Sequence, residues 1–405
     1  MENKIKRLAF VSGATLLGIA LVLLFVFLGN RSSGPISEVL SSLGNTVTDV
    51  EHALLIKGRV PVRTKALAWF EKHRDDTAYL RHPDSILLGV YDNHYLKSFD
   101  NILRFDKMLD APLPIIHIYV AWGDKEKEQF PMLYAKAIYD LGSTPMITWE
   151  PWLGDFQREE HSLPVVANPD KKGMKAVARG DYDFYIKKWA LAIKSFGHVV
   201  FIRLGHEMND PYRYPWGPQN NKPEDFVAAW RHVVNLFRQM KVNNVEWVWA
   251  PQPAYLHYKE YYPGKDVVDW VGVGALNYGT VAPWSKWWSF KEIFGNYYNR
   301  LNLFGKPIMI TEMGSLTVGG NRTEWFREAF RNLPEKYPRL RALVFFNDNR
   351  DNTTLNKTLD WSIVEDTATC KAIRKEIKTT WHMPVTKTLK PNHPAAVRMT
   401  KKTGK

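Results

Sequence analysis

The sequence has little cysteine and no nucleotide-binding loop. Its only cysteine among 405 residues is Cys370, which excludes an intrachain disulfide framework and a metal site built from cysteines. No predicted strand is followed by a glycine-rich phosphate loop, because the glycine pair at 319–320 lacks the dinucleotide spacing. A composition of 45% hydrophobic and 24% charged residues also excludes wholesale disorder and a polytopic membrane protein. We expect a globular protein without a metal ion or a cofactor.

Positive charge is in excess, but much of it lies at the end of the chain. Lys and Arg number 55 against 42 Asp and Glu, which gives a net charge of +13. Residues 382–405 hold six of these cations and no acidic residue. We predict a disordered basic tail there, since the segment is rich in Pro, Lys and Thr without periodicity. Because the rest of the chain is only mildly basic, we do not expect it to bind nucleic acid.

An uncharged apolar run occupies residues 8–28. At about 1.5 Å per residue, a helix of this length spans a hydrocarbon core of about 30 Å. Lys4, Lys6 and Arg7 precede the run, so the positive-inside rule places residues 1–7 in the cytoplasm. We predict an uncleaved transmembrane signal-anchor and a single-pass membrane protein with an extracytoplasmic catalytic domain; a cleaved signal peptide is the alternative. Residues 29–80 are predicted to form a linker and an approach segment.

Between residues 81 and 381, short apolar segments alternate with longer amphipathic ones. The apolar segments lie at 85–92, 114–122, 144–152, 198–207, 245–252, 269–279, 306–314 and 341–348. Apolar residues recur at helical spacing between them, apart from one short connection after the fifth segment. Eight strand–helix units predict a (β/α)8 TIM barrel, and a doubly wound open sheet is the alternative.

Carboxylates occur where the predicted strands end, which is where TIM barrels carry their chemistry. Glu207 ends the fourth strand and Glu312 the seventh, so the two face each other across the barrel axis. Cleavage of a glycosidic bond needs such a pair, one carboxyl to protonate the leaving oxygen and one to meet the developing oxocarbenium ion. Glu150, at the end of the third strand, competes for either role, although we expect it to contact a sugar hydroxyl or a loop.

Tryptophan is abundant, with 16 residues, and flat apolar rings suit stacking on sugar faces. We predict that Trp287 and Trp288 belong to the helix that follows them. Five others are predicted to form stacking subsites: Trp149, Trp152, Trp216, Trp249 and Trp284.

Several motifs, in order over residues 85–380, resemble glycoside hydrolase family 26. They are Arg203-x-x-His206-Glu207-Met208-Asn209 with Tyr214-Pro215-Trp216, then Tyr261-Tyr262-Pro263-Gly264 with Val268-Asp269-Trp270-Val271-Gly272, then Lys306-Pro307 with Ile310-Thr311-Glu312-x-Gly314, and finally Asp360-Trp361. The resemblance implies a retaining endo-β-glycanase that acts on β-mannans, mixed-linkage β-glucans or β-xylans without a cofactor. It also implies that Glu207 is the acid/base and Glu312 the nucleophile.

The two carboxyls need opposite protonation states at neutral pH. Glu207 must keep its proton, through burial or through the charge of the second carboxylate. Glu312 must stay ionised, and Arg203 is its expected partner.

Three further residues of the motifs have expected roles at the site. His206 is expected to donate to a sugar or to a carboxylate. Asn209 is expected to orient the acid, to contact a hydroxyl or to cap a turn. The resemblance implies a strand-six tyrosine that orients the nucleophile, which matches Tyr278 or falls on Leu276, and we assign it to Tyr278.

The sequence thus predicts a membrane-anchored glycoside hydrolase that cleaves a β-linked polysaccharide: mannan, mixed-linkage glucan or an exopolysaccharide. The anchor favours trimming of a self-made exopolysaccharide, with the polysaccharide synthase machinery as a candidate partner. One alternative is a catalytically inactive barrel that binds polysaccharide and assists its export, because Asp210 and Tyr212 stand where the family commonly has Gly and Trp. Another is a glycosidase of a neighbouring family with the same two glutamates.

Overall fold

The computed structural model describes residues 53, 55–56, 58, 60–281, 286–352 and 357–381. In this part of the chain, eight parallel strands close into a barrel in sequence order, with the first strand hydrogen-bonded to the last. The strands are β1 Leu87–Asp92, β2 Ile115–Ala121, β3 Thr144–Glu150, β4 Val200–Leu204, β5 Val245–Trp249, β6 Trp270–Asn277, β7 Ile308–Ser315 and β8 Leu340–Asn347. The closed barrel confirms the predicted (β/α)8 fold and excludes the doubly wound open sheet.

Helices cover the outside of the barrel and its base. They are α1 Val60–Ala66, α2 Ala68–Glu71, α3 Thr77–Arg81, α4 Asp100–Leu109, α5 Met132–Asp140, α6 Gly173–Arg179, α7 Asp183–Phe196, α8 Pro223–Gln239, α9 Tyr258–Tyr261, α10 Asn296–Asn302, α11 Arg322–Lys336 and α12 Thr367–Thr380. Trp287 and Trp288 precede a π-helical segment, Lys291–Gly295, which leads into α10. The short connection predicted after the fifth strand contains the four-residue α9.

The longest helix shows why the outer layer forms as it does. Helix α8 begins with Pro223 at its first position and has acidic residues in its first turn, where they complement the helix dipole. Phe226, Trp230, Val233 and Phe237 follow at helical spacing and are all buried. A single apolar face therefore packs on the sheet, as expected of a helix in a TIM barrel.

The base of the barrel is closed by α1–α3, which lie inside the segment predicted to be linker and approach. Leu67, Phe70 and Leu80 pack against residues at the N-terminal halves of the strands. The fully buried Arg63 guanidinium bridges the loops before β2 and β3, where it donates to the Leu113 carbonyl and to the Ser143 hydroxyl at 3.0 Å each. Residues 60–81 are thus an integral part of the packed barrel.

Some predictions concern residues outside the described ranges. These are the transmembrane segment 8–28, Trp284 and the basic tail 382–405. Among the described helices, none combines the length and apolar character that a membrane span requires.

Candidate active site

Glu207 lies just beyond β4, on a backbone held in an unusual conformation. Its φ is +52°, a left-handed value that costs a non-glycine residue on the order of 1–3 kcal/mol. A hydrogen bond from its backbone nitrogen to the Ala250 carbonyl, 2.7 Å long, ties this corner to the end of β5. The strained corner directs the carboxyl into the mouth of the barrel, where only 7% of the residue is exposed.

The Glu207 carboxyl receives two different hydrogen bonds. The Gln252 amide donates to Oε1 at 2.8 Å, and the Arg213 guanidinium donates to Oε2 at 3.4 Å. Burial raises the pKa of Glu207 to about 7, with the positive charge of Arg213 opposing the rise and the negative charge of Glu312 adding to it. A carboxyl with this pKa holds a proton for much of the time at neutral pH and can release it, as a general acid/base must.

Glu312 lies within β7 and is held by much shorter hydrogen bonds. Arg203 and Tyr119 each donate to its Oε1 atom at 2.6 Å. Arg203 is itself fixed by Thr148 on β3 and Thr311 on β7, whose hydroxyls accept from the guanidinium at 2.6 and 2.9 Å. The expected ion pair between Arg203 and Glu312 is therefore present inside the barrel, and Glu312 is anchored as a carboxylate in a fixed orientation.

One glycine of β6, Gly274, lies close to both carboxyls. Gly274 on β6 is the register partner of Glu312 on β7. A Cβ atom added to Gly274 would lie 3.7 Å from Oε1 of Glu207. The Glu207 carboxyl thus lies close to the bare backbone that pairs with Glu312 in the sheet.

The chain is similar to known glycoside hydrolases in sequence and in fold. Residues 158–331 match the model of glycosyl hydrolase family 26. Endoglucanase H of Acetivibrio thermocellus is 31% identical over 285 residues, which are 68% of this chain and 29% of that protein. Mannan endo-1,4-beta-mannosidase A and B of Caldalkalibacillus mannanilyticus is 28% identical over 163 residues, 38% of this chain and 29% of that protein.

A solved structure has the same fold at low sequence identity. The β-mannanase of Bacteroides ovatus superposes with a TM-score of 0.53 and 15% identity, over 82% of this chain and 99% of that one. The chain belongs to glycosyl hydrolase family 26. It spans only 29% of the length of each of the two relatives above. The matched family-26 region contains both Glu207 and Glu312.

Three of the tryptophans predicted to stack on sugars are part of the core of this family-26 barrel. Trp149, Trp216 and Trp249 are at most 1% exposed, so they cannot offer a face to a sugar. Trp149 stacks on Trp189 of α7 at 4.5 Å between ring centroids. The physical reason is strand alternation: Thr148 points into the barrel towards Arg203, so its neighbour Trp149 points outward to the helices.

The other two predicted tryptophans differ. Trp152 is half-buried, and its indole nitrogen donates to Oε2 of Glu150 at 3.2 Å. Glu150 therefore contacts a loop residue, and burial raises its pKa. Trp284 lies outside the described residues.

His206 and Asn209 are both buried and bonded within the protein. The Nε2 atom of His206 lies 2.9 Å from the Tyr214 hydroxyl, and burial lowers the pKa of the imidazole well below its usual value. Its Nδ1 atom is 3.9 Å from Glu150, beyond hydrogen-bond distance. Asn209 donates to the backbone carbonyls of Gln252, Tyr255 and Leu256 and accepts from the Gln252 backbone nitrogen. It fixes the loop that carries Gln252, whose side chain donates to Glu207.

Tyr278 does not provide the hydroxyl expected at the nucleophile. Its ring packs edge-on against Trp361 at 4.8 Å, and among the described residues it is Tyr119 of β2 that donates to Glu312. The assignment to Tyr278 assumed that the tyrosine must come from β6. Two polar residues at alternate positions of the otherwise apolar β2, His117 and Tyr119, were the available signal for an inward-facing group.

Sequence reasoning also missed Arg213 and Gln252, the two residues that touch Glu207. Both lie on loops, where no periodic pattern indicates the direction of a side chain.

No group of three or more His, Cys, Asp or Glu side chains in the described ranges is arranged to hold a metal ion.

Proposed function

We propose that this chain is a retaining endo-β-glycosidase that hydrolyses a β-linked polysaccharide by double displacement. The observation that carries the proposal is the unequal environment of two neighbouring carboxyls. Glu312 receives short hydrogen bonds from Arg203 and Tyr119, whereas Glu207 is buried and its pKa is raised to about 7. One group is prepared to act as an anion and the other as an acid, which is the division of labour in glycosidases.

In the first step, Glu312 attacks the anomeric carbon while Glu207 gives its proton to the glycosidic oxygen. The bond to the leaving sugar breaks, and the remaining sugar is esterified to Glu312. Because Arg203 and Tyr119 both donate to Oε1, we assign the attack to Oε2. In the second step, Glu207 takes a proton from water, the oxygen of that water attacks the same carbon, and the Glu312 carboxylate is released. Two inversions at one carbon leave its configuration unchanged.

The bare backbone at Gly274, beside both carboxyls, supports a sugar ring bound there. We assign the reacting ring to the position between Glu207 and Glu312. On the loop that follows Glu207, Tyr212 is 79% exposed and lies edge-on to Tyr255 with ring centroids 6.0 Å apart. We assign this pair of aromatic residues to the leaving-group side, where it replaces the buried tryptophans as a stacking surface.

The names of the relatives indicate the class of polymer to test first. They are an endoglucanase, mannan endo-1,4-beta-mannosidases and beta-1,3-xylanases. We propose a β-glucan, a β-mannan or an exopolysaccharide with such linkages as the substrate. The apolar run at 8–28 supports a single-pass anchor with the catalytic domain outside the cytoplasm and an association with polysaccharide synthase machinery. N-terminal sequencing of the protein from membrane and soluble fractions tests the anchor.

The experiment for the catalytic proposal is a panel of mannan, mixed-linkage glucan, xylan and host exopolysaccharide. Products released by the purified chain are separated by size, and early products from the best polymer are followed by proton NMR. We expect oligosaccharides of several lengths whose new ends first have the β configuration. Inversion would contradict the assigned roles. A chain that cleaves none of the polymers but binds one would instead support the alternative of an inactive polysaccharide-binding barrel.

A further inference from the structure

Arg213 is placed where it affects the acid/base directly. It lies on the loop after β4, six residues beyond Glu207, and its Nη1 atom donates to Glu207 Oε2 at 3.4 Å. Its guanidinium also lies over the Tyr214 ring, 5.3 Å from the centroid. The side chain is 29% exposed, and the pKa of Arg213 is raised from its usual value despite partial burial, because nearby tyrosines and glutamates favour its charge. The cation is therefore permanent.

A permanent cation at this position opposes one half of the reaction and favours the other. In the first step Glu207 must keep its proton until the glycosidic oxygen takes it, and Arg213 favours losing it. In the second step Glu207 must be ionised in order to take a proton from water, and Arg213 favours that state. The contact between Arg213 and Glu207 therefore opposes acid catalysis in the first step and favours base catalysis in the second.

The other groups facing Glu207 change the balance between the two steps. Glu312 and Asp210 carry negative charge and favour the protonated form of Glu207, while Arg203 favours the ionised form. Gln252 is neutral, and so are the Tyr214 and Tyr278 hydroxyls, whose pKa values are raised. When Glu312 is esterified in the proposed intermediate it loses its charge, but both arginines keep theirs. The field at Glu207 then becomes more positive.

We propose that Arg213 is a positioning residue for the second half-reaction: it holds the Glu207 carboxyl in the ionised form while Glu312 carries the sugar. The kinetic part of this inference rests on the proposed function, but the effect of Arg213 on the proton of Glu207 does not. When Glu312 is esterified its negative charge is lost. The Arg213 cation then favours the ionised form of Glu207, which can act as a base. Gln252 holds the other oxygen in both states.

The first test is a direct titration of Glu207, which needs no substrate. Carboxyl ¹³C signals of glutamate-labelled protein are followed against pH in the full chain, and the signal that disappears in Glu207→Gln identifies the residue. In Arg213→Gln we expect the midpoint to rise by about one pH unit or more. Arg213→Lys, which keeps the charge, should move it less. Arg350→Gln is the matched control, because Arg350 is exposed on the loop after β8 and no described contact joins it to either carboxyl. We expect no shift there.

The second test separates the half-reactions with an activated aryl glycoside, whose departure needs no proton. Arg213→Gln should leave the burst of aryl alcohol intact and slow the steady state by about tenfold, so that the covalent intermediate accumulates and is seen by mass spectrometry. The alkaline limb of the kcat/KM profile on polymer should move to higher pH.

Particular results would overturn the inference. An unchanged Glu207 midpoint in Arg213→Gln, or equal shifts in the Gln and Lys variants at unchanged Tm, would show that the charge is not what acts. A slower burst with an unchanged steady state would place Arg213 in the first step. A wild-type chain inert towards every glycoside would contradict the proposed function, yet the titration would still decide whether Arg213 controls this proton.

Discussion

Two buried glutamates, at opposite ends of the barrel, have raised pKa values but differ in the charged groups around them. At the mouth, Glu207 has a pKa of about 7, and at the base Glu246 of β5 has a pKa of about 8, both mainly because of burial. At the base, Arg81 alone contacts both Glu246 and Asp269, at 3.0 and 3.1 Å. At the mouth each carboxyl has an arginine of its own, Arg213 for Glu207 and Arg203 for Glu312.

The comparison shows that a raised pKa alone does not identify a catalytic carboxyl. At the base, Glu246 and Asp269 share the Arg81 guanidinium, and burial together with the charge of Asp269 raises the pKa of Glu246 although Arg81 and Lys306 oppose the rise. At the mouth, separate partners allow one carboxyl to be protonated while its neighbour stays ionised. A catalytic role therefore requires a separate charged partner for each carboxyl and access for a substrate. Burial by itself only raises the pKa of a carboxyl.

The largest expected effect comes from removing Glu312, the proposed nucleophile. Glu312→Ala should lower kcat/KM by roughly 10⁴-fold or more, on polymer and on activated aryl glycosides alike, because no covalent intermediate can form. Glu246→Gln, at the other end of the barrel, should leave kcat/KM within about twofold. Equal losses in the two variants would mean that the mouth is not the reaction centre.

Removing Glu207, the proposed acid/base, should give a smaller and more selective loss. Glu207→Ala is expected to lower activity on polymer by roughly 10²–10⁴-fold, while an activated aryl glycoside still reacts with Glu312. Azide, which needs no general base, should restore turnover and give a β-glycosyl azide, detected by NMR. If azide instead restores Glu312→Ala with a β product, the two roles are reversed.

Stability against pH should change at both ends, but activity only at the mouth. A glutamate whose folded-state pKa exceeds its ordinary value of about 4.3 stabilises the folded chain below that value, and this stability is lost as the pH rises through the folded-state pKa. Glu207→Gln and Glu246→Gln should therefore raise Tm relative to wild type above pH 8 and change it little near pH 4. The gain should be some degrees, since each kcal/mol corresponds to about 2–4 °C.

The two substitutions are expected to differ in their effect on activity. Glu207→Gln should combine the alkaline gain in Tm with loss of activity, whereas Glu246→Gln should keep full activity. Scanning calorimetry over pH, with the same samples assayed for hydrolysis, measures both. A fall in alkaline Tm for Glu246→Gln would show that the ion pair with Arg81 outweighs the burial of the charge.

The smallest expected effect concerns two asparagines with equivalent bonding. Asn209 fixes a loop at the mouth, and Asn244 donates to the carbonyls of Ile193 and His198 at the base. Changing either to Ala should cost about 1–3 kcal/mol of unfolding free energy, since buried carbonyls lose their donors. Only Asn209→Ala should also lower kcat, by about tenfold, because Gln252 would no longer hold Glu207 in place. Equal kcat values would remove Asn209 from the orienting role.

Much of the fold could be predicted because its signals are local and repeated. Near-continuous apolar strands alternating with amphipathic helices indicate a (β/α)8 barrel, and the two glutamates were singled out because the predicted fourth and seventh strands end close to them. The helices of the base were missed, since α1–α3 have only seven, four and five residues. Helices that short carry too few turns for an apolar periodicity to be read.

The errors at the site have two physical causes. Trp149 and Trp249 were assigned from their position at strand ends without following the alternation of side chains, which points them to the helices. Arg213 and Gln252 could not be assigned from any pattern. Their directions depend on loop conformations fixed by long-range hydrogen bonds such as those of Asn209.

The closed base has a consequence for how the chain could work beside a surface. Helix α1 lies at the base, at the end of the barrel opposite to the two carboxyls. Leu55, upstream of it, is already packed in the core. Should residues 8–28 span a membrane as proposed, the 24 residues from 29 to 52 could reach at most about 80 Å when fully extended. A tether of that length would allow the mouth to meet polymer that has already emerged. The length of the tether would set the distance from the membrane within which the barrel could cleave a polysaccharide leaving its exporter.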